Sequence, residues 1–116
     1  MLTTEQIKTY VSKRLIGTGF FEKKEPIPLR FTDIFNDKYS INIREINSDN
    51  IRCELTKSEI IGGMVFAGKV VTSCVVSDYH QDKYKKLDSW IENMLLIPDV
   101  KLRIRNNKIK KLRKNL

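Results

Sequence analysis

The residues best suited to chemistry lie at the C-terminal end. Residues 101 to 116 hold eight cations, Lys101, Arg103, Arg105, Lys108, Lys110, Lys111, Arg113 and Lys114, and no carboxylate. The preceding hundred residues balance fourteen Lys and Arg against fourteen Asp and Glu, so the whole formal charge of +8 sits in one short segment. A cationic segment on a neutral body concentrates its field in one place and suits a phosphate-rich or acidic partner. Within it, Lys101 to Arg105 alternate charged and apolar residues, Asn106 and Asn107 suit the left-handed positions of a type I′ turn, and Lys108 to Lys110 resume the alternation. This pattern predicts a C-terminal basic β-hairpin with Arg105 facing Lys108 and Arg103 facing Lys110. Like charges directly opposite one another are destabilising in a free sheet, and an anion lying against them would relieve that repulsion. The candidate nucleic-acid-binding residues are therefore Arg103, Arg105, Lys108, Lys110, Lys111 and Arg113. Two other readings stay open: a short basic helix over residues 107 to 116, with Ile109 and Leu112 spaced by three, and a solvated edge hairpin whose lysines discourage aggregation.

Catalytic and metal chemistry find little support. His80 is the single histidine, and together with Asp78, Cys53 and Cys74 it lacks the close ligand spacing of a structural zinc site. It is expected in the first turn of a helix, exposed or partly packed. Cys53 and Cys74 fall in apolar, strand-like runs where a thiol is desolvated and a poor nucleophile. Asp33, Asp37, Glu45, Asp49, Glu54 and Glu59 form no motif that would hold Mg²⁺ with substrate phosphates. Gly62, Gly63, Gly68 and Lys69 lack the spacing of a nucleotide-binding loop and read as a tight turn feeding a strand with a bulge. No catalytic residue, metal or cofactor is predicted.

The elements that must position the basic segment are more legible. Thr3 and Gln6 form a capping box, with Leu2 and Ile7 as the matching hydrophobic staple, and Ile7, Val11 and Leu15 recur at helical spacing. A helix over residues 4 to 16 follows, with Gly17 as its left-handed cap. Residues 17 to 28 read as a connection with Phe20 and Phe21 anchored on the core. Leu29 to Phe35 fits a short strand or a helical turn. Ile41 to Ile46 and Ile51 to Leu55 alternate around the turn-forming Asn47 to Asn50 and predict an antiparallel hairpin, with Arg52 and Glu54 outward. Ser58 to Ile61 could start a helical turn. Met64 to Val76 reads as a strand covered on both faces, bent at Gly68. A second long helix is expected from about Asp78 to Ile97, capped by Ser77 or Asp78, burying Tyr84, Leu87, Ile91, Met94 and Leu95, and ended by Pro98. Trp90 and Phe66 read as core, Tyr39 and Tyr79 as exposed rings.

The fold class is thus α+β: an N-terminal helix, a mainly antiparallel sheet of three to five strands, a second long helix on that sheet, and the basic hairpin. Residues 1 to 100 form a compact body, and residues 101 to 116 a hairpin or tail continuous with the same domain. No uninterrupted apolar stretch exceeds four residues and the N-terminus lacks the pattern of a signal peptide, so a cytoplasmic location without membrane association is expected. The function expected is a non-enzymatic nucleic-acid-binding or accessory protein, with DNA or RNA backbone as partner. The alternative is an adaptor, inhibitor or structural subunit that docks on an acidic protein surface or forms a symmetric assembly such as a homodimer.

Overall fold

The computed structural model describes residues 2–22, 31–36 and 38–114, with the backbone alone at positions 22, 31–36, 59, 60, 65–67, 111 and 114. The chain is α+β. Helix α1 (Thr4–Arg14) starts as its sequence dictates: the Thr3 amide donates to Gln6 Oε1 at 3.0 Å and the Gln6 amide to Thr3 Oγ1 at 3.2 Å, closing the capping box. Leu2 and Ile7 are both buried, as the staple requires. Gly17 and Gly19 turn the chain away with positive φ. Phe20 is buried, but Phe21 is 55% exposed and does not join it. Most of the expected connection, residues 23–30 with Pro26 and Pro28, lies outside the described residues.

Strands β1 (Phe21–Glu22), β2 (Phe31–Asn36), β3 (Tyr39–Asn47), β4 (Asn50–Ile61) and β5 (Met64–Ser77) form an antiparallel sheet in sequence order. The turn at Asn47 to Asn50 forms where expected. Residues 58 to 61, which could have begun a helical turn, continue β4 instead, because Gly62 and Gly63 at φ 59° and 81° supply the two left-handed positions that a tight hairpin needs. Opposite Lys57 to Glu59 the β4–β5 register shifts. Gly68 sits in this bulge, where a Cβ would come within 1.6 Å of the Lys57 carbonyl oxygen.

Every helix packs on one face of this sheet. Tyr39, Ile41 and Ile43 of β3, Ile51, Cys53 and Leu55 of β4, and Cys74 and Val76 of β5 point into a core shared with Ile7, Val11 and Leu15 of α1. Helix α2 (Lys83–Leu95) adds Leu87, Trp90, Ile91 and Met94, and the Trp90 indole N–H donates to Thr72 Oγ1 at 3.2 Å across the layer. Tyr10 and Arg14 of α1 both reach Asp88 of α2, at 2.7 and 2.9 Å, tying the two helices side by side. The opposite face is open: Val70 and Val71 are 54% and 42% exposed, so β5 is covered on one face and not on both. The expected exposure of Tyr39 is also corrected, since its ring is core, whereas Tyr79 is indeed exposed.

Helix α2 begins five residues later than the sequence suggests. Ser77 still belongs to β5, the Asp78 amide extends the ladder to the Asp49 carbonyl at 2.9 Å, and the Tyr79 amide takes Ser77 Oγ at 3.3 Å. Both expected caps are thus spent on the strand end and its turn, and Asp82 becomes the N-cap. The Gly68 contact is with backbone, which cannot swing aside, so Gly68→Ala should lower unfolding free energy by about 1–3 kcal/mol at unchanged m-value. Urea denaturation checks this, and an unshifted midpoint would mean the strands separate freely there.

Candidate nucleic-acid interface

The cationic segment is a helix, α3 (Pro98–Lys114), and not a hairpin. Three local features decide the contest. Pro98 ends α2 and also serves as the first residue of α3, where its missing N–H costs nothing. Asp99 places a carboxylate in the first turn, favourable to the helix dipole, and the cations at the far end are favourable for the same reason. Val100 and Ile104, four apart, lie on one face and both reach the core, Val100 at 1% exposure. Burying Val100 alone contributes roughly 1.5–3 kcal/mol.

A polar cluster fixes the start of α3 to the sheet. The Tyr39 hydroxyl donates to Asp99 Oδ2 at 2.6 Å, Lys57 Nζ stands 3.8 Å from the same oxygen, and the Arg103 guanidinium lies over the Tyr39 ring at 5.9 Å. The Tyr39 hydrogen bond holds the Asp99 carboxyl below its ordinary value; burial opposes this, and the charges of Lys57, Arg103 and Lys38 reinforce it. Burial, then the bond to Asp99, pushes the Tyr39 hydroxyl up to about 12.

Beyond Ile104 the helix leaves the body. Arg105, Lys108, Lys110 and Arg113 are exposed, and none of them, nor Lys101, forms an ion pair among the described residues. The side chain of Lys111 lies outside the described residues. Of the five nominated residues whose side chains are described, Arg103 alone is half buried and engaged with the body, so it belongs to the anchor and not to the exposed array. With about 3.6 residues per turn, the other cations of α3 whose side chains are described fall on two flanks: Lys101, Arg105 and Lys108 on one, Lys110 and Arg113 on the other. Between them lie Leu102 and Ile109, exposed by 52% and 39%, while Leu112, 66% exposed, falls within the first flank beside Lys108 and Arg105. A shallow groove of about 570 Å³ follows the second flank past Asn106, Lys110 and Arg113.

Like charges remain close on this helix. Lys101 with Arg105, Arg105 with Lys108, and Lys110 with Arg113 are neighbours at three- or four-residue spacing, each pair opposing the helix by roughly 0.2–0.5 kcal/mol. The anchor at Val100 outweighs these small terms near the body, and no such anchor is given to Ile109 or Leu112. Anions bridging the cations would convert the repulsion into attraction.

Elsewhere the chemistry is sparse. Burial, reinforced by Cys74, pushes the Cys53 thiol up to about 12, and burial raises Cys74 as well despite Lys86, so neither is a ready thiolate. His80 is exposed in the turn before α2, one element earlier than expected. Among the described residues no three His, Cys, Asp or Glu cluster as metal ligands, and no helix is long and apolar enough to cross a membrane. No family model, curated protein or solved structure matches the chain.

Titration of Asp99 and Tyr39 tests the anchor. A lowered carboxyl contributes stability above its ordinary pKa that is lost as pH falls through the lowered value; the raised Tyr39 contributes below its ordinary 10.0 and loses this as pH rises toward about 12. In Tyr39→Phe, carbon NMR should show the Asp99 carboxyl titrating at higher pH than in the parent. An unmoved midpoint would remove the hydrogen bond from the account.

Proposed function

We propose that this chain is a non-enzymatic nucleic-acid-binding or accessory protein that grips phosphates with the projecting half of α3, through Arg105, Lys108, Lys110, Lys111 and Arg113. The observation that carries the reading is a helix whose exposed Arg105, Lys108, Lys110 and Arg113 form no ion pair among the described residues, attached to a body whose own formal charges cancel. Arg103 drops out of the phosphate-contacting set because it is committed to Tyr39. Phosphate contacts hold a protein in place without reading bases, so affinity through α3 depends strongly on salt and weakly on duplex sequence.

About five phosphate contacts imply a log–log salt slope near −4.5 on duplex DNA and near −3.5 on single strands. Fluorescence anisotropy across a salt series measures this, and Lys108→Ala combined with Lys110→Ala should flatten the duplex slope by about 2. Binding that ignores salt would reject the proposal. Removing residues 105–116 should abolish polyanion affinity yet leave a cooperative unfolding transition, because Val100 and Ile104 stay in the core.

The exposed Leu102, Ile109 and Leu112 on α3 favour a second reading, an adaptor that docks on an acidic protein surface or in a symmetric assembly. Amphipathic helices enter partner grooves through such side chains. Ile109→Ser with Leu112→Ser tests this reading by calorimetry: loss of association with an acidic protein partner while DNA affinity holds within about twofold supports docking, and unchanged protein association rejects it.

A further inference from the structure

The sheet ends in two unequal edges: β1 is two residues long, whereas β5 runs for fourteen. The direction of the backbone groups along β5 follows from its register. The Asp78 amide donates to the Asp49 carbonyl at 2.9 Å, and the pairing with β4 is unbroken from Asn50–Ser77 to Leu55–Thr72. Opposed residues of an antiparallel ladder alternate between exchanging both backbone bonds and exchanging none. Val76, Cys74 and Thr72 therefore turn their N–H and C=O groups toward β4, and Val75 and Ser73 turn theirs toward the free edge. The ladder then passes from Thr72 to Val70 and skips Val71. Among the described residues nothing hydrogen-bonds the outward groups of Ser73 or Val75. Ser73 is exposed, as are Val70 and Val71 beside it.

Edge strands are ordinarily defended by charges, prolines or bulges that stop another strand from pairing. The bulge at Gly68 and the charge of Lys69 defend the first half of β5. Residues 70 to 76 read Val, Val, Thr, Ser, Cys, Val, Val, without Lys, Arg, Asp, Glu, Pro or Gly. A β-branched, uncharged segment with unpaired backbone groups is a template for an extended strand. It also matches itself. Antiparallel pairing centred on Ser73 sets Val71 against Val75 of a second copy and Thr72 against its Cys74, so no like charges are opposed within the segment. The helix layer agrees with this register. Burial raises the Cys74 thiol and nearby Lys86 opposes this, while the Trp90 indole N–H donates to Thr72 at 3.2 Å. The rung joining Cys74 to Thr72 of the second copy thus turns Lys86 toward the other Trp90, a cation toward an indole and not toward a second lysine. Residues 1 to 100 carry no net formal charge, so two bodies can meet without net repulsion.

We propose that the free edge of β5 is a dimer interface, where two copies of this chain pair antiparallel about a two-fold axis at Ser73 and join their sheets into one. The two Ser73 residues exchange a pair of backbone hydrogen bonds, and Val75 meets Val71 on either side of the axis. Such a contact closes at two copies, because each β5 is used once and the two-residue β1 leaves little edge to extend. The dimer does not depend on the phosphate role of α3. Where that role holds, the dimer presents two cationic helices to one polyanion, and the second binds at a raised effective concentration.

Sedimentation equilibrium of the full chain without nucleic acid, at salt high enough to screen the cationic helices, should show a reversible monomer–dimer equilibrium. Ser73→Pro removes an amide that β4 does not use, at an edge position where proline is tolerated. Losing the two bonds at the axis should weaken the dimer about tenfold or more. Val71→Lys, at an exposed position, should weaken it through charge, and thermal melts verify that both variants fold. Amide hydrogen exchange on the unaltered chain locates the contact. Ser73 and Val75 should be protected in the dimer and exchange freely on dilution, while Thr72, Cys74 and Val76 stay protected by β4. A chain that remains monomeric at every concentration overturns the interface, as does growth beyond two copies. So does a dimer whose Ser73 and Val75 amides exchange freely, or one that Ile109→Ser with Leu112→Ser dissociates while Ser73→Pro and Val71→Lys do not. Each of these results leaves the salt-dependent affinity of α3 to stand or fall on its own salt series.

Discussion

Two turns of α3 hold it to the body, and that short anchorage governs what the cationic segment can do. Val100 and Ile104 enter the core, and Asp99 is fixed by Tyr39 and Lys57. Among the described side chains that follow, Arg105, Lys108, Lys110 and Arg113 are exposed. Had a third apolar residue of α3 met the sheet, the cations would lie against the body and spread their field over it. Had Val100 been polar, the mutual repulsion of the lysines and arginines would dominate and the segment would be a tail. The anchored helix is the intermediate case, in which charge is presented at a defined place and direction.

The same one-sidedness shapes the sheet. Three helices share one face, so the inner residues of β3, β4 and β5 are Ile, Cys, Leu and Val, while the outer positions carry Ser40, Asn42, Arg44, Arg52, Glu54 and Thr56. A face that no helix covers must satisfy its polar groups laterally, and it does so through the ladder of Asn42, Thr56 and Ser40 and the grouping of Glu54 with two arginines. The bulge at Gly68 lets β5 bend past β4 at the edge of this surface. Two surfaces result, one cationic on α3 and one mixed and hydrogen-bonding on the open sheet.

Much of the body was legible in the sequence because its signals were local. Thr3 with Gln6, the alternation of Ile51, Cys53 and Leu55, and the spacing of Leu87, Ile91 and Met94 each need only neighbouring residues to be read. Features that depend on remote partners were not. Ser77 and Asp78 look like helix caps until the register of β4 with β5 uses them, and Tyr39 looks exposed until Asp99, sixty residues away, is placed beside it. The basic segment misled through a local coincidence. Lys101 to Arg105 alternate with period two, yet Val100 and Ile104 also sit at a spacing of four, and Pro98 both ends one helix and begins the next. Nothing in the sequence signalled that β5 forms an edge of the sheet, which depends on the order in which the strands pair.

Mapping where a polyanion touches the protein tests the central claim most directly. Backbone amide shifts followed by NMR as a short DNA duplex is added at low salt should move along residues 105–113 and return to their free positions when salt is raised. Shifts confined to α1 and α2, with residues 105–113 undisturbed, would contradict the account.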